Sequence, residues 1–350
     1  MQTPIPAIPA AKARADAMLA GRRRRLSGAL AWLALAGAGS FAARPVLAQD
    51  GAYPSRNVTL VVSAAAGGTT DIAARMIAEP LAKALGQPVV VDNRPGGAGS
   101  IAAQLVARAR PDGYTLLLQY SGFHVITPLL VKNLSWDPVK DFAPVANVLS
   151  APQVLVVRPG LPVKSLKELV AYAKAHPDKL NYASSGNGSL QHVSTELLKQ
   201  MAGIEITHVP YKGTGPAMTD LLGGSVDLTI TTPPPLMGHI QAGKLRPLVV
   251  TSKKRLPSLK DVPSAPEAGY PDLEVSSWFA MYAPAGTPKP VIDKLAAEIE
   301  KIMRSDAFRA KAEEMGAEAQ FMGPQQLAQY QRGELARWAK VIKSADIHAE

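Results

Sequence analysis

The 350-residue chain is 47 % apolar, enough to bury a sizeable core, and it has no cysteine. That excludes a disulfide scaffold, thiolate metal sites and cysteine nucleophiles. The net charge of +10 is largely a terminal effect: residues 1–48 hold seven cations and one anion, so the rest carries +4 with no basic, aromatic-interleaved cluster to mark a nucleic-acid partner.

In chain order, "GRRRRLSGALAWLALAGAGSFAARPVLAQ" comes first. A basic cluster, Arg22–Arg25, precedes an apolar stretch at 29–39 and a small-residue end, Val46-Leu47-Ala48. This pattern predicts a cleavable secretory signal over 1–48, with Met18 as an alternative start. The apolar stretch is too short to span a membrane.

Beyond it, strands and helices alternate. The apolar, β-branched run 57–63 predicts a buried strand. A helix follows, capped by Thr69 or Thr70, stopped by Gly86 and expected to kink or break at Pro80. Strand 88–93, helix 99–109 and strand 114–120 complete a unit whose crossovers imply a parallel sheet. The alternation then restarts. Strand 153–159 leads to a helix that opens with a capping box, Ser165 and Glu168. Strand 179–185, helix 188–203, strand 204–211, helix 215–224 and strands 225–231 and 246–252 follow. The long apolar stretch 274–286 is suited to crossing between domains, and the chain ends in helices. Two α/β units without a flexible linker predict two lobes joined by strands: lobe 1 at 49–150 and 280–350, lobe 2 at 151–279.

Each lobe has a small-residue turn between a strand and a helix: "SAAAGGTTD" (63–71) and "ASSGNGSLQH" (183–192). A helix N-terminus carries unpaired N–H groups and partial positive charge, and glycine lets a ligand approach them. Such a turn suits a carboxylate or a phosphate. Tight-turn and cap chemistry alone also accounts for either turn singly, but two facing turns would share one cleft at the carboxyl ends of the strands. There is no phosphate-loop motif, and Gln191 stands where a dinucleotide fingerprint needs a small residue. No serine sits in a G-x-S-x-G elbow, and no histidines are spaced as a helical metal pair. No cofactor or metal is expected.

The motifs "GQPVVVDNRPGGAGSIAA", "PDGYTLLL", "LNYASSGNGSLQH", "THVPYKGTGPAMTDLLGGSVDL", "HIQAGKLRPLVVTS", "DVPSAPEAGYP", "EVSSWFAMYAPAGTP" and the closing "WAKVIKSADI" occur in order along the chain after residue 48. In this the chain closely resembles the substrate-binding proteins of tripartite tricarboxylate transporters. The resemblance implies a type II, two-lobed periplasmic binding fold with a hinge of crossing strands. It implies a monomeric, non-enzymatic periplasmic receptor that closes on a small organic acid, often through bridging waters, and delivers it to membrane subunits of the transporter. Carried over by position, the contacts would be Ala66, Gly67, Gly68, Thr69, Asp71, Ser121 and His124 from lobe 1. From lobe 2 they would be Ser184, Ser185, Gly186, Asn187, Gly188, Ser189, His192, Tyr211, Thr214 and Asp227. The other readings are a ligand-reporting module for a membrane sensor and an ester hydrolase using Ser189 with His192.

Overall fold

The computed structural model describes residues 53–344 and 347–348, and the expected signal segment lies outside them. The first sheet begins with β1 (Val58–Val62), α1 (Thr69–Leu85), β2 (Val89–Asn93), α2 (Ser100–Ala107) and β3 (Thr115–Tyr120). After α3 (Thr127–Leu130) comes its edge strand β4 (Phe142–Pro152). The second sheet is built from β5 (Val154–Val157), α4 (Leu166–Ala175), β6 (Asn181–Ser184), α5 (Leu190–Ala202), β7 (Thr207–Pro210), α6 (Thr214–Gly223), β8 (Leu228–Thr231), α7 (Met237–Gln241) and β9 (Arg246–Val250). The chain returns to the first sheet as β10 (Ser276–Pro284) and ends in α8 (Lys289–Met303), α9 (Asp306–Glu314) and α10 (Pro324–Ser344).

Strand order is β2-β1-β3-β10-β4 in the first sheet and β7-β6-β8-β5-β9 in the second. β1 pairs parallel with β2 and β3, as the alternation requires. The sheets are nonetheless mixed rather than parallel, because β10 runs antiparallel to β3 and β4, and β5 to β8 and β9. These two strands arrive from the other lobe. They run away from the cleft, whereas the strands around them run toward it.

Alternation along β5 shows how the second sheet is covered. Leu155 and Val157 face one apolar cluster with Tyr182 and Leu198, and Val154 and Val156 face another with Leu221 and Leu236. α1 continues through Pro80 without a break, held to the sheet by buried Ile77, Ala78, Leu81 and Leu85. Proline there removes one helical hydrogen bond, and packing on both sides of it maintains the helix. Half of the capping box on α4 forms: Ser165 Oγ accepts from Glu168 N–H, while the Glu168 carboxylate accepts from the N–H of Lys164, one residue before the cap.

The chain passes between sheets at Gln153 and again between β9 and β10; the stretch expected to cross, 274–286, lies in the first sheet as β10. Thr251 stitches the crossings together. It exchanges backbone bonds with Gln153 O (2.8 Å) and Val275 N–H (3.0 Å), and its hydroxyl accepts from Gln153 N–H (2.9 Å) and reaches Val275 O (2.6 Å). Two adjacent crossing segments pinned by one buried side chain form the hinge.

Candidate functional site

The carboxyl ends of β1 and β3 face those of β6 and β8 across the hinge. The lobes are drawn together. Thr69 and Thr232 hydroxyls meet at 2.6 Å, and Leu190 N–H donates to the Tyr120 hydroxyl at 2.6 Å. Between them remains a cavity of about 20 Å³, room for about one water-sized group. No charged side chain lines it. Its walls are Gly68, Thr69, Thr70 and Tyr120 of the first lobe and Ser185, Gln191, Thr214, Thr231 and Thr232 of the second. Gln153 and Ser277, from the two crossing segments, form its floor, joined by a 3.2 Å bond, with Phe123 and Phe279 beside them. The chemistry on offer is hydroxyl and amide hydrogen bonding. Among the described residues no cluster could hold a metal ion.

The first turn is tied down by acids and amides. Asp71 accepts from Gly67 N–H at 3.0 Å and pairs with Arg75, and Asn93 donates to Ala64 O at 2.9 Å. The N-cap of α1 is Gly68, not the expected Thr69 or Thr70, because the Asp71 carboxylate already serves the turn. The N–H groups of Thr69 and Thr70 have no acceptor among the described residues. Both residues line the cavity, so α1 presents free donors and its dipole to it.

The second turn is tied down differently. Ser185 N–H donates to Gln191 Oε1, and the Gln191 amide N donates to Thr214 (3.0 Å) and Thr231. Gly186 N–H donates to Ser184 Oγ, Gly188 N–H to His192 Nδ1, and Ser189 Oγ caps α5 by accepting from His192 N–H. The His192 ring stacks on His208 at 4.4 Å, and His208 stacks on Tyr182 at 4.7 Å. Burial first, then the neighbouring His192 and Lys199, push His208 down to about 3. Its Nε2 and the Ser184 hydroxyl are 2.6 Å apart.

Of the residues carried over from sequence, Gly68, Thr69, Ser185 and Thr214 meet in the cavity. Ala66 and Gly67 are exposed at its rim, against α6 of the other lobe: a methyl at Gly215 would lie 2.1 Å from Ala66 O. Gly186, Asn187 and Tyr211 line an outer chamber next to it. Asp71, Ser184, Gly188, Ser189 and His192 hold the turns from beneath, and Ser121 accepts from Trp278 N–H at 3.2 Å.

Two expected contacts are placed elsewhere. His124 is fully buried in the first lobe, stacked on Tyr282 at 4.1 Å and bonded to Pro138 O, and burial pushes it down to about 3. Asp227 precedes β8, at the end of the sheet away from the cleft, where it pairs with Arg158 at 2.8 Å and accepts from Asn181 N–H. Gln153, Gln191, Thr231, Thr232 and Ser277 were not foreseen. For all but Gln191 the signal was polarity inside apolar runs: "APQVLVV", "DLTITTP" and "VSSWF" each place hydrogen-bonding side chains where a core strand has none to spare.

The family described as tripartite tricarboxylate transporter family receptor (TctC) matches residues 73–347. The solved structure of Rpa4515 from R. palustris, determined with adipate, is 43 % identical, covers 85 % of this chain and 99 % of that one, and superposes with a TM-score of 0.83. The periplasmic binding protein BugD is 38 % identical, covers 85 % of this chain and 100 % of that one, and has a TM-score of 0.82. MatC of Rhodopseudomonas palustris, with bound malate, is 38 % identical, covers 83 % of this chain and 100 % of that one, and has a TM-score of 0.79.

Proposed function

From the premise that the chain belongs to the tripartite tricarboxylate transporter receptor family, whose members are solute-binding receptors and not enzymes, we propose that it captures a small organic carboxylate between its lobes in the periplasm and presents it to membrane subunits of such a transporter. The observation that carries this reading is the open N-terminus of α1. Thr69 and Thr70, whose backbone N–H groups have no acceptor among the described residues, line a cavity ringed by hydroxyls and free of charged side chains. One carboxylate oxygen would take those amides, and the Thr214, Thr231 and Thr232 hydroxyls would close on it as the hinge at Thr251 bends. Hydrogen bonds to a charged acceptor contribute roughly 1.5–3 kcal/mol each, so a few of them give micromolar affinity without a paired cation. The acids present in the solved relatives, adipate and malate, set the scale of ligand to try first. Secretion through a signal cleaved after Ala48 is part of the same reading.

Thermal-shift and calorimetric titration against an organic-acid panel test it. A cognate acid at a hundredfold excess over its Kd stabilises the protein by about 2.7 kcal/mol. If no mono-, di- or tricarboxylate produces a shift while an amine or sugar does, the reading is wrong.

A further inference from the structure

The two lobes also meet outside the cleft, beside the hinge. After α9 the chain turns at the buried Gly316, whose backbone is left-handed (φ 72°). It then joins the edge of β4: Ser150 N–H donates to Glu318 O at 3.0 Å, and Glu318 N–H to Ser150 O at 2.7 Å. The turn is thereby fixed to the first lobe, close to the crossing at Gln153. Facing it from the second lobe are Pro233, just past β8, and Ser258, in the turn after β9. The approach is closer than a side chain allows. A methyl on Gly316 would lie 2.7 Å from Pro233 Cβ, 3.1 Å from its Cγ and 3.0 Å from Ser258 Oγ. We propose that this contact is a stop that sets how far the lobes close, and that glycine at 316 thereby sets the affinity for the acid without touching it. The proposal rests on capture between the lobes, as read above.

Three features point this way. Among the described residues no hydrogen bond joins the Gly316 turn to Pro233 or Ser258, and Ser258 Oγ is buried without a partner. A contact of bare surfaces resists compression steeply and separation weakly. It therefore limits closing rather than holding the lobes shut. The contact is also narrow. A cavity of about 270 Å³ lies between Leu256 and Pro257 on one side and Arg309, Glu313 and Ala319 on the other, so no broad packed interface shares the load. Finally, Pro233 directly follows Thr232, whose hydroxyl meets Thr69 at 2.6 Å across the cleft. A proline ring is locked into the backbone and has no rotamer by which to turn aside. Whatever holds Pro233 back therefore holds Thr232 back from α1.

A left-handed backbone by itself also favours glycine, so strain and bulk have to be separated. Strain is present whether the lobes are apart or together, and it cancels from the affinity; bulk acts only when they meet. Gly269 is exposed, has φ 87° and has nothing within 4 Å of a added methyl, so Gly269→Ala carries strain alone. Gly316→Asn carries bulk with less strain, because asparagine enters the left-handed region more readily than most residues. The chain has no cysteine. Spin labels on Lys83→Cys in α1 and Lys174→Cys in α4, one exposed site per lobe, therefore give a single inter-lobe distance by pulsed dipolar spectroscopy. The distance and the calorimetric affinity are read with the acid that the panel identifies. In the wild type the acid should shift the distance. In Gly316→Ala the shift should be smaller and the affinity about tenfold weaker, the worth of about one hydrogen bond to the acid. Gly316→Asn should weaken binding at least as much, and Gly269→Ala should lower the melting temperature while leaving both readings as in the wild type. Wild-type affinity and distance in Gly316→Ala, or equal losses in Gly269→Ala, would overturn the stop and leave capture standing. An acid that binds without shifting the wild-type distance, or a panel in which none binds, would overturn capture by closure itself.

Discussion

The turn after β1 and the turn after β6 are both runs of small residues ahead of a helix, yet the protein uses them in opposite ways. The first is held from outside by a carboxylate and an amide, Asp71 and Asn93, and leaves the N-terminus of α1 open. The second is held from within by imidazoles and by Gln191, and its helix terminus is closed. Leu190 N–H goes to Tyr120 of the other lobe, and Ser185, Gly186 and Gly188 N–H are all engaged. A helix N-terminus is an anion site only where nothing nearer takes its amides. The first lobe thus supplies backbone donors and dipole, and the second supplies side-chain hydroxyls organised by Gln191. The glycines follow the same division. Gly67 and Gly68 face α6 across the cleft, with Gly213 and Gly215 facing back, so much of the small-residue content serves lobe-to-lobe approach.

The largest effect should come from blocking that approach. Gly215→Val puts a side chain into the space of Ala66 O, 2.1 Å from where its Cβ would stand. Affinity for the acid that the panel identifies should fall by about a hundredfold, the equivalent of one or two lost charge-assisted hydrogen bonds. Small-angle scattering should show no contraction under excess ligand, with the ligand-free melting temperature nearly unchanged. Wild-type affinity in this variant would mean that the first turn is small for the ligand alone.

Next comes the unequal worth of the two amides. Gln191→Leu strands a buried Ser185 N–H and the hydroxyls of Thr214 and Thr231. It should cost about 2 kcal/mol of stability and weaken binding by about thirtyfold. Asn93→Leu releases Ala64 O and a long, exposed contact from Arg75, and should cost about 1 kcal/mol with a smaller change in affinity. If the two variants behave alike in urea unfolding and titration, the turns are equivalent after all.

Acid should separate the turns as well. His208 is held neutral down to about 3 in the fold but takes up a proton near 6.5 when unfolded. Below 6.5 the unfolded state binds more protons, so stability is complete above that pH and falls as pH drops toward 3, by no more than about 1.4 kcal/mol per pH unit per histidine. His124 adds a slope of the same sign from the first-lobe core. His208→Gln should flatten part of the slope and alter how affinity changes with pH; His124→Phe should flatten the slope and leave affinity's pH profile alone. Identical pH profiles of affinity in all three proteins would remove the imidazoles from any part in holding the second turn.

What could be read from sequence follows the same physics. The buried runs at 58–62 and 154–157 announce themselves because every residue but Thr59 is apolar. β4 does not, since Pro144, Asn147, Ser150 and Pro152 interrupt it. Its prolines are tolerated because it is an edge strand whose outer side is paired only through isolated bridges at Asn147 and Ser150. The turns were legible as turns, but which amides were already engaged depends on Tyr120 and Gln191, whose partners lie 70 and up to 40 residues away. His124 sits in a motif shared with binding loops, and only its stack of aromatic neighbours reveals a core residue.

The smallest effect tests the far end of the second sheet. Asp227 pairs with Arg158 and takes Asn181 N–H at the amino ends of β6 and β8, whereas the cleft lies at their carboxyl ends. A four-residue strand separates the two by roughly 13 Å, too far for a carboxylate to touch a ligand. Its side chain is 9 % exposed and Arg158's is 32 %, so the pair is partly shielded and its loss should be felt in stability. Asp227→Asn keeps the shape and can still accept from Asn181 N–H, but gives up the charge, for a cost of about 1–2 kcal/mol. Because nothing in the cleft depends on that charge, affinity for the acid that the panel identifies should stay within about twofold of wild type, a difference of about 0.4 kcal/mol. Chemical denaturation and titration of the same preparation read the two quantities independently. A variant with wild-type stability and tenfold weaker binding would place Asp227 back among the ligand contacts, and would mean that the second lobe contributes an acid to the site rather than hydroxyls alone.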